Sequence, residues 1–110
     1  MDPEHARALL ARERKRVEQA IADLVPDDSR WDADAEDAVE PAPILFEDEL
    51  EQGLLESLRA ELAAIERAEH RLAEGKYGYS VVSGEPIPDA RLEAIPWAER
   101  TVEEEERLGA

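Results

Sequence analysis

The residues best equipped for chemistry are carboxylates crowded into the middle of the chain. Residues 27–51 carry eleven acids against one base, Arg30. Asp32, Asp34, Glu36 and Asp37 offer oxygen atoms of the kind that magnesium and calcium accept. The run has neither the fixed spacing nor the turn glycine of an EF-hand loop, so a dedicated cation site is not expected. Acid/base catalysis needs a neighbour that drives one carboxyl pKa away from another, and the run contains no such partner. What remains is action by charge: a negative cluster placed against a cation or a basic surface. His5 and His70 stand far apart among charged neighbours and read as surface residues. There is no glycine-rich phosphate loop and no nucleophile motif. The expectation is a protein that is not an enzyme and has no cofactor.

The chain has no cysteine, which excludes disulfides and thiolate-held zinc or iron–sulfur centres. Its formal charge is −16, from 29 acids and 13 bases. Affinity for nucleic-acid phosphates comes from clustered Lys and Arg, so direct nucleic-acid binding is not expected. Docking onto a basic surface of a protein partner remains open, as does the plainer reading that the charge keeps a helical protein in solution. No segment is apolar for long enough to span a bilayer, and the N-terminus has no signal-peptide apolar region. No membrane association and a cytoplasmic location are the expectation.

The elements that must hold the acidic run follow from periodicity. Residues 3–25 predict a helix: Asp2 is a candidate N-cap, Pro3 suits the first turn, and Ala6, Leu10, Val17, Ala20 and Leu24 recur at three- and four-residue steps. Pro26 breaks it. Ser29 is a candidate cap for a short extension ending near Pro41. Residues 44–74 predict a longer helix with Leu55, Leu58, Leu62, Ile65 and Leu72 on one face, a gap at Glu69, and Leu50 and Leu54 widening the stripe. Gly75 is a C-cap signal.

Two such helices joined by a proline-flanked acidic segment predict an antiparallel hairpin. Pairing Leu24 with Leu50 and Leu10 with Ile65 puts its turn near residue 37. A helix of about 30 residues reaches roughly 45 Å, which holds the carboxylates of residues 27–43 far from the body. Residues 76–110 change character. Tyr77 to Ile87 read as a short β-hairpin turning at Ser83-Gly84, Pro88 and Asp89 start a helical turn, and a last helix is predicted from about Trp97 to Leu108. Glu103, Glu104, Glu105 and Glu106 read as a solvated face.

The stretch KYGYSVVSGEPIPDARLEAIPWA resembles the zinc-finger region of the DksA/TraR family. There a Gly-Tyr pair leads into a Cys-x-x-Cys, followed by Gly, Ile, an Arg-Leu-Glu-Ala run, Pro and a second Cys-x-x-Cys. Gly78, Tyr79, Gly84, Ile87, Arg91, Leu92, Glu93, Ala94, Pro96 and Ala98 stand at the matching steps. The resemblance implies a mainly α fold: an antiparallel two-helix coiled-coil hairpin over 1–75, with a small zinc-finger-like base and a short C-terminal helix over 76–110. The four zinc positions fall on Ser80, Ser83, Thr101 and Glu104, a set that cannot replace the thiolate site. The base is therefore expected to be metal-free, held by Tyr77, Tyr79, Val81, Val82, Ile87, Leu92, Ile95 and Trp97 packing onto the hairpin.

Followed backwards without gaps, the resemblance sets the family's Asp-x-x-Asp-x-Ala tip motif on Asp37, Glu40 and Ala42, beside the turn position that leucine pairing gives. Glu40 replaces the second Asp, Pro41 stiffens the place before Ala42, and Asp32 and Asp34 are alternative tip acids. In the family this tip enters the secondary channel of bacterial RNA polymerase and modulates initiation. The family's basic contacts to guanosine tetraphosphate fall on Ala64, Ile95 and Glu105, which supply no charge-assisted bond to a pyrophosphate, so no alarmone site of that type is expected. A second reading stays open: a helical hairpin acting as an interaction or dimerisation module with no polymerase role, its basic patch Arg12, Arg14, Lys15 and Arg16 pairing with acids of another chain.

Overall fold

The computed structural model describes residues 1–25 and 49–109. The segment on which Asp32, Asp34, Asp37, Glu40 and Ala42 fall, with the Ser29-capped extension, lies outside the described residues. Among the described residues four helices follow one another: α1 (Pro3–Leu24), α2 (Glu49–Ala73), α3 (Asp89–Ala94) and α4 (Val102–Gly109). Among the described residues no helix is long and apolar enough to cross a membrane.

α1 begins where the Asp2 side chain accepts a hydrogen bond from the His5 amide, with Pro3 in the first turn. It ends at Val25, which is extended at ψ 128°, as a residue before proline tends to be. α2 ends in a Schellman motif. The Lys76 amide donates to the Arg71 carbonyl at 2.8 Å and the Gly75 amide to Leu72 at 3.2 Å, with Gly75 at φ +76° in the left-handed region that glycine tolerates.

The two long helices pack through a core of Leu10, Val17, Leu58, Ile65 and Ala68, flanked by Ala20, Ile21, Leu24, Leu62 and Leu72. Leu10 and Ile65 share this core and Leu24 packs against it, whereas Leu50, the expected partner of Leu24, is exposed. Leu54 is exposed as well, so the two leucines do not widen the stripe among the described residues. The gap at Glu69 has a cause: Arg14 of α1 meets Glu69 across the seam and also reaches Glu66 at 3.4 Å, while Arg16 reaches Glu61 at 2.8 Å. A register with Leu10 beside Ile65 would set Arg14 opposite Glu61. Side chains lean toward the N-terminus of their own helix, so on antiparallel helices Arg14 leans toward α2's C-terminal end and meets acids that lean the other way.

The base carries a second core of Ile87, Leu92 and Ala98, with Met1, Tyr77 and Ile95 against it. Tyr77 and Trp97 also pack on the hairpin core, and Tyr77 bridges the two clusters. Its hydroxyl donates to the Pro96 carbonyl at 2.7 Å. Burial pushes its pKa up to about 12, opposed by Arg71 and assisted by Glu93 and Asp89. Tyr77→Phe removes the donor from a buried carbonyl and is expected to cost about 1–2 kcal/mol in urea denaturation.

Three expectations for the base need correction. The predicted β-hairpin is reduced to one antiparallel bridge, Tyr79 to Pro86, with no strand among the described residues. Tyr79, Val81 and Val82, expected in the core, are 52%, 51% and 61% exposed. Residues 81–83 form a turn round the Ser80 hydroxyl, which accepts the Val82 and Ser83 amides, so Ser80 is buried while the two valines face outward. The last helix starts at Val102 rather than near Trp97, because Thr101 caps it.

Candidate functional site

Ser80 sits in the loop between the bridge residues, and Thr101 and Glu104 open α4. Thr101-Val102-Glu103-Glu104 forms a capping box. The Glu104 amide donates to Thr101 Oγ1 at 3.3 Å, and the Thr101 amide donates to Glu104 Oε1 at 2.9 Å, which pairs two N–H groups that a helix start leaves without partners. The same Glu104 Oε1 accepts the Ser80 hydroxyl at 2.6 Å. Ser80 Oγ in turn accepts the amides of Val82 at 3.0 Å and Ser83 at 3.2 Å. A hydroxyl has one proton to give and two lone pairs, so every valence of Ser80 Oγ is used.

Glu104 is only 4% exposed, which corrects its expected place on a solvated face. Its carboxyl pKa is pulled down to about 2, first by the Ser80 hydroxyl, then by the Thr101 amide and Ser83, against the opposing effect of burial. Ser80, Ser83, Thr101 and Glu104, far apart in sequence, thus meet at one carboxylate. Structural zinc sites are closed tetrahedra of thiolate or imidazole ligands. Three hydroxyls and one carboxylate oxygen already engaged by two donors do not fit that ion.

The finger is joined to the hairpin by charge as well as by packing. Glu99 accepts Arg67 Nε at 2.6 Å and lies 3.7 Å from Arg71. His5 meets Glu93 of α3, and the amino group of Met1 lies 3.2 Å from Asp89. Ala64 lies on α2, Ile95 just after α3, and Glu105 on α4, where it faces Arg100 at 3.5 Å. Of the basic patch, Arg14 and Arg16 are engaged within the chain, by Glu18, Glu66 and Glu69 and by Glu13 and Glu61.

The capping box was legible in the sequence as Thr-x-x-Glu ahead of a helix, but the acidic run masked it. Leu92, fully buried at the centre of the finger, and Ala98 beside it carry only the ordinary apolar signal.

An antiparallel helical hairpin whose termini hold a small finger-like base, the finger closed by side chains from two separated pairs, defines a class of protein. The family described as prokaryotic dksA/traR C4-type zinc finger matches residues 75–108. The RNA polymerase-binding transcription factor DksA of Caulobacter vibrioides (strain NA1000 / CB15N) is 48% identical over 46 residues, 42% of this chain and 32% of that protein. The protein of the same name from strain ATCC 19089 / CIP 103742 / CB 15 matches equally. The aligned part is about a third of the length of these curated relatives. The solved structure of transcription factor DksA2 from Pseudomonas aeruginosa superposes with a TM-score of 0.68 at 28% identity, covering 97% of this chain and 82% of that one. Residues 75–108 thus match the DksA/TraR finger family, and the chain is similar in fold to DksA2, with no cysteine at any finger position.

Proposed function

We propose that the protein is a transcription regulator that binds bacterial RNA polymerase, entering its secondary channel and modulating initiation through an acidic hairpin tip. The observation that carries this reading is the likeness in fold to DksA2 across almost the whole chain. The match of the finger region to relatives named RNA polymerase-binding transcription factor supports it. Residues 26–48 join the ends of α1 and α2 that lie away from the finger, and they contain Asp32, Asp34, Asp37 and Glu40. In this account the finger and α4 dock at the channel rim and the hairpin enters. Asp37 and Glu40 act by charge and hydrogen bonding near the active centre, with Ala42 completing the tip, and so alter open-complex stability at selected promoters.

The test is a binding assay against purified core polymerase, with wild type beside Asp37→Ala/Glu40→Ala. Both are expected to bind at micromolar concentration, and only wild type to change transcription from a responsive promoter. Failure of wild type to bind would leave the hairpin as an interaction module. Equal transcription effects from both chains would move the working acid to Asp32 or Asp34.

A further inference from the structure

Four-cysteine fingers are closed by an ion that pulls two x-x pairs together. Here the two pairs are Ser80/Ser83 and Thr101/Glu104, and the structure lets each be read as a ligand pair is read. In both, the first side chain accepts the amide three residues on: Ser83 N to Ser80 Oγ at 3.2 Å, and Glu104 N to Thr101 Oγ1 at 3.3 Å. The two pairs therefore share one hydrogen bond, from the amide of the last residue to the side-chain oxygen of the first.

What crosses between them is the Glu104 carboxylate. It takes the Ser80 hydroxyl from the loop and the Thr101 amide from its own turn. Nearby, the Val81 amide donates to the Glu99 carbonyl at 2.9 Å, a second tie between the same two segments. Hydrogen bonds to an ionised acceptor are about twice as strong as neutral ones. A buried carboxylate without its donors would be costly to keep, so the cluster forms as a set or not at all.

We infer that the Glu104 carboxylate, with Ser80, Ser83 and Thr101, closes the finger in the place of a metal ion, so that the base folds without zinc by an internal hydrogen-bonded lock. Glu104 is the centre of this lock because it alone reaches both pairs. Ser80 is its counterpart because its hydroxyl orients the loop amides and the carboxylate together.

The experiment uses the full chain and near-ultraviolet circular dichroism of Tyr77 and Trp97 as the readout of the base. Wild type treated with a strong chelator is expected to keep its signal and melting midpoint unchanged, and to give no cobalt(II) spectrum when that ion is added. Glu104→Ala is expected to lose the near-ultraviolet signal of the base while the far-ultraviolet helix signal is largely kept. A chain carrying Ser80→Cys, Ser83→Cys, Thr101→Cys and Glu104→Cys together is expected to bind one cobalt(II) with tetrahedral thiolate bands and to lose the base signal on chelation, since structural metal binding is coupled to folding. The inference is overturned by loss of the wild-type signal on chelation, by a full base signal in Glu104→Ala, or by a four-cysteine chain that takes up no metal.

Discussion

Ile65→Ala lowers the unfolding free energy by about 3 kcal/mol, within the range for truncating a buried aliphatic side chain. Ile65 is 0% exposed and stands in the middle of the α1–α2 seam, among Leu10, Val17, Leu58 and Ala68. The hairpin core is one side chain deep, so the methyl groups removed have no second layer to refill the space. Small domains hold only about 5–15 kcal/mol in total, so this loss is a large share. Urea denaturation followed by far-ultraviolet circular dichroism measures it, and Tm falls by roughly 10 °C or more. Leu54→Ala serves as the contrast: Leu54 is half-exposed, and its truncation is expected to change stability by less than about 1 kcal/mol. Equal losses from the two variants would show that the seam is not where the hairpin's stability lies.

The base unfolds in acid over a window set by Glu104. Its carboxyl lies near 4.5 when unfolded and is pulled down to about 2 in the fold by Ser80, Thr101 and Ser83. Between those values the unfolded chain binds the proton and the folded chain does not, so stability rises with pH. The contribution is whole above about 4.5 and is lost as pH falls toward 2. Glu104→Gln keeps an acceptor oxygen but cannot titrate. The difference between wild type and this variant is therefore expected to be largest at neutral pH and to shrink through the acid window. The near-ultraviolet signal of Trp97 and Tyr77, followed against pH in both chains, measures it. A difference that stays constant with pH would mean that the carboxylate is not held by charge in the folded base.

The long helices were legible because their signals are local. Asp2-Pro3, Gly75 and the three- and four-residue recurrence of apolar side chains set the ends of α1 and the end of α2 within a residue or two. The base was less legible because its side chains do not follow their usual preferences. Polar Ser80, Thr101 and Glu104 are buried while Tyr79, Val81 and Val82 face solvent, an inversion that hydropathy alone does not reveal. It follows from the need to satisfy the Glu104 carboxylate and the amides around it, a constraint set by groups distant in sequence. The four positions themselves were found by the family resemblance. Their hydrogen bonding was not, since the acids of α4 look alike until one of them turns inward. The tip acids, Asp37 and Glu40 above all, lie outside the described residues, so their part in the account rests on sequence.

The central claim concerns where that tip goes. A photo-cross-linking residue placed at Ala38, beside Asp37, in a chain bound to core RNA polymerase addresses it directly, with the adducts mapped by mass spectrometry. The account predicts adducts to segments lining the secondary channel close to the active centre. Adducts confined to the outer surface of the enzyme, with binding intact, would contradict it.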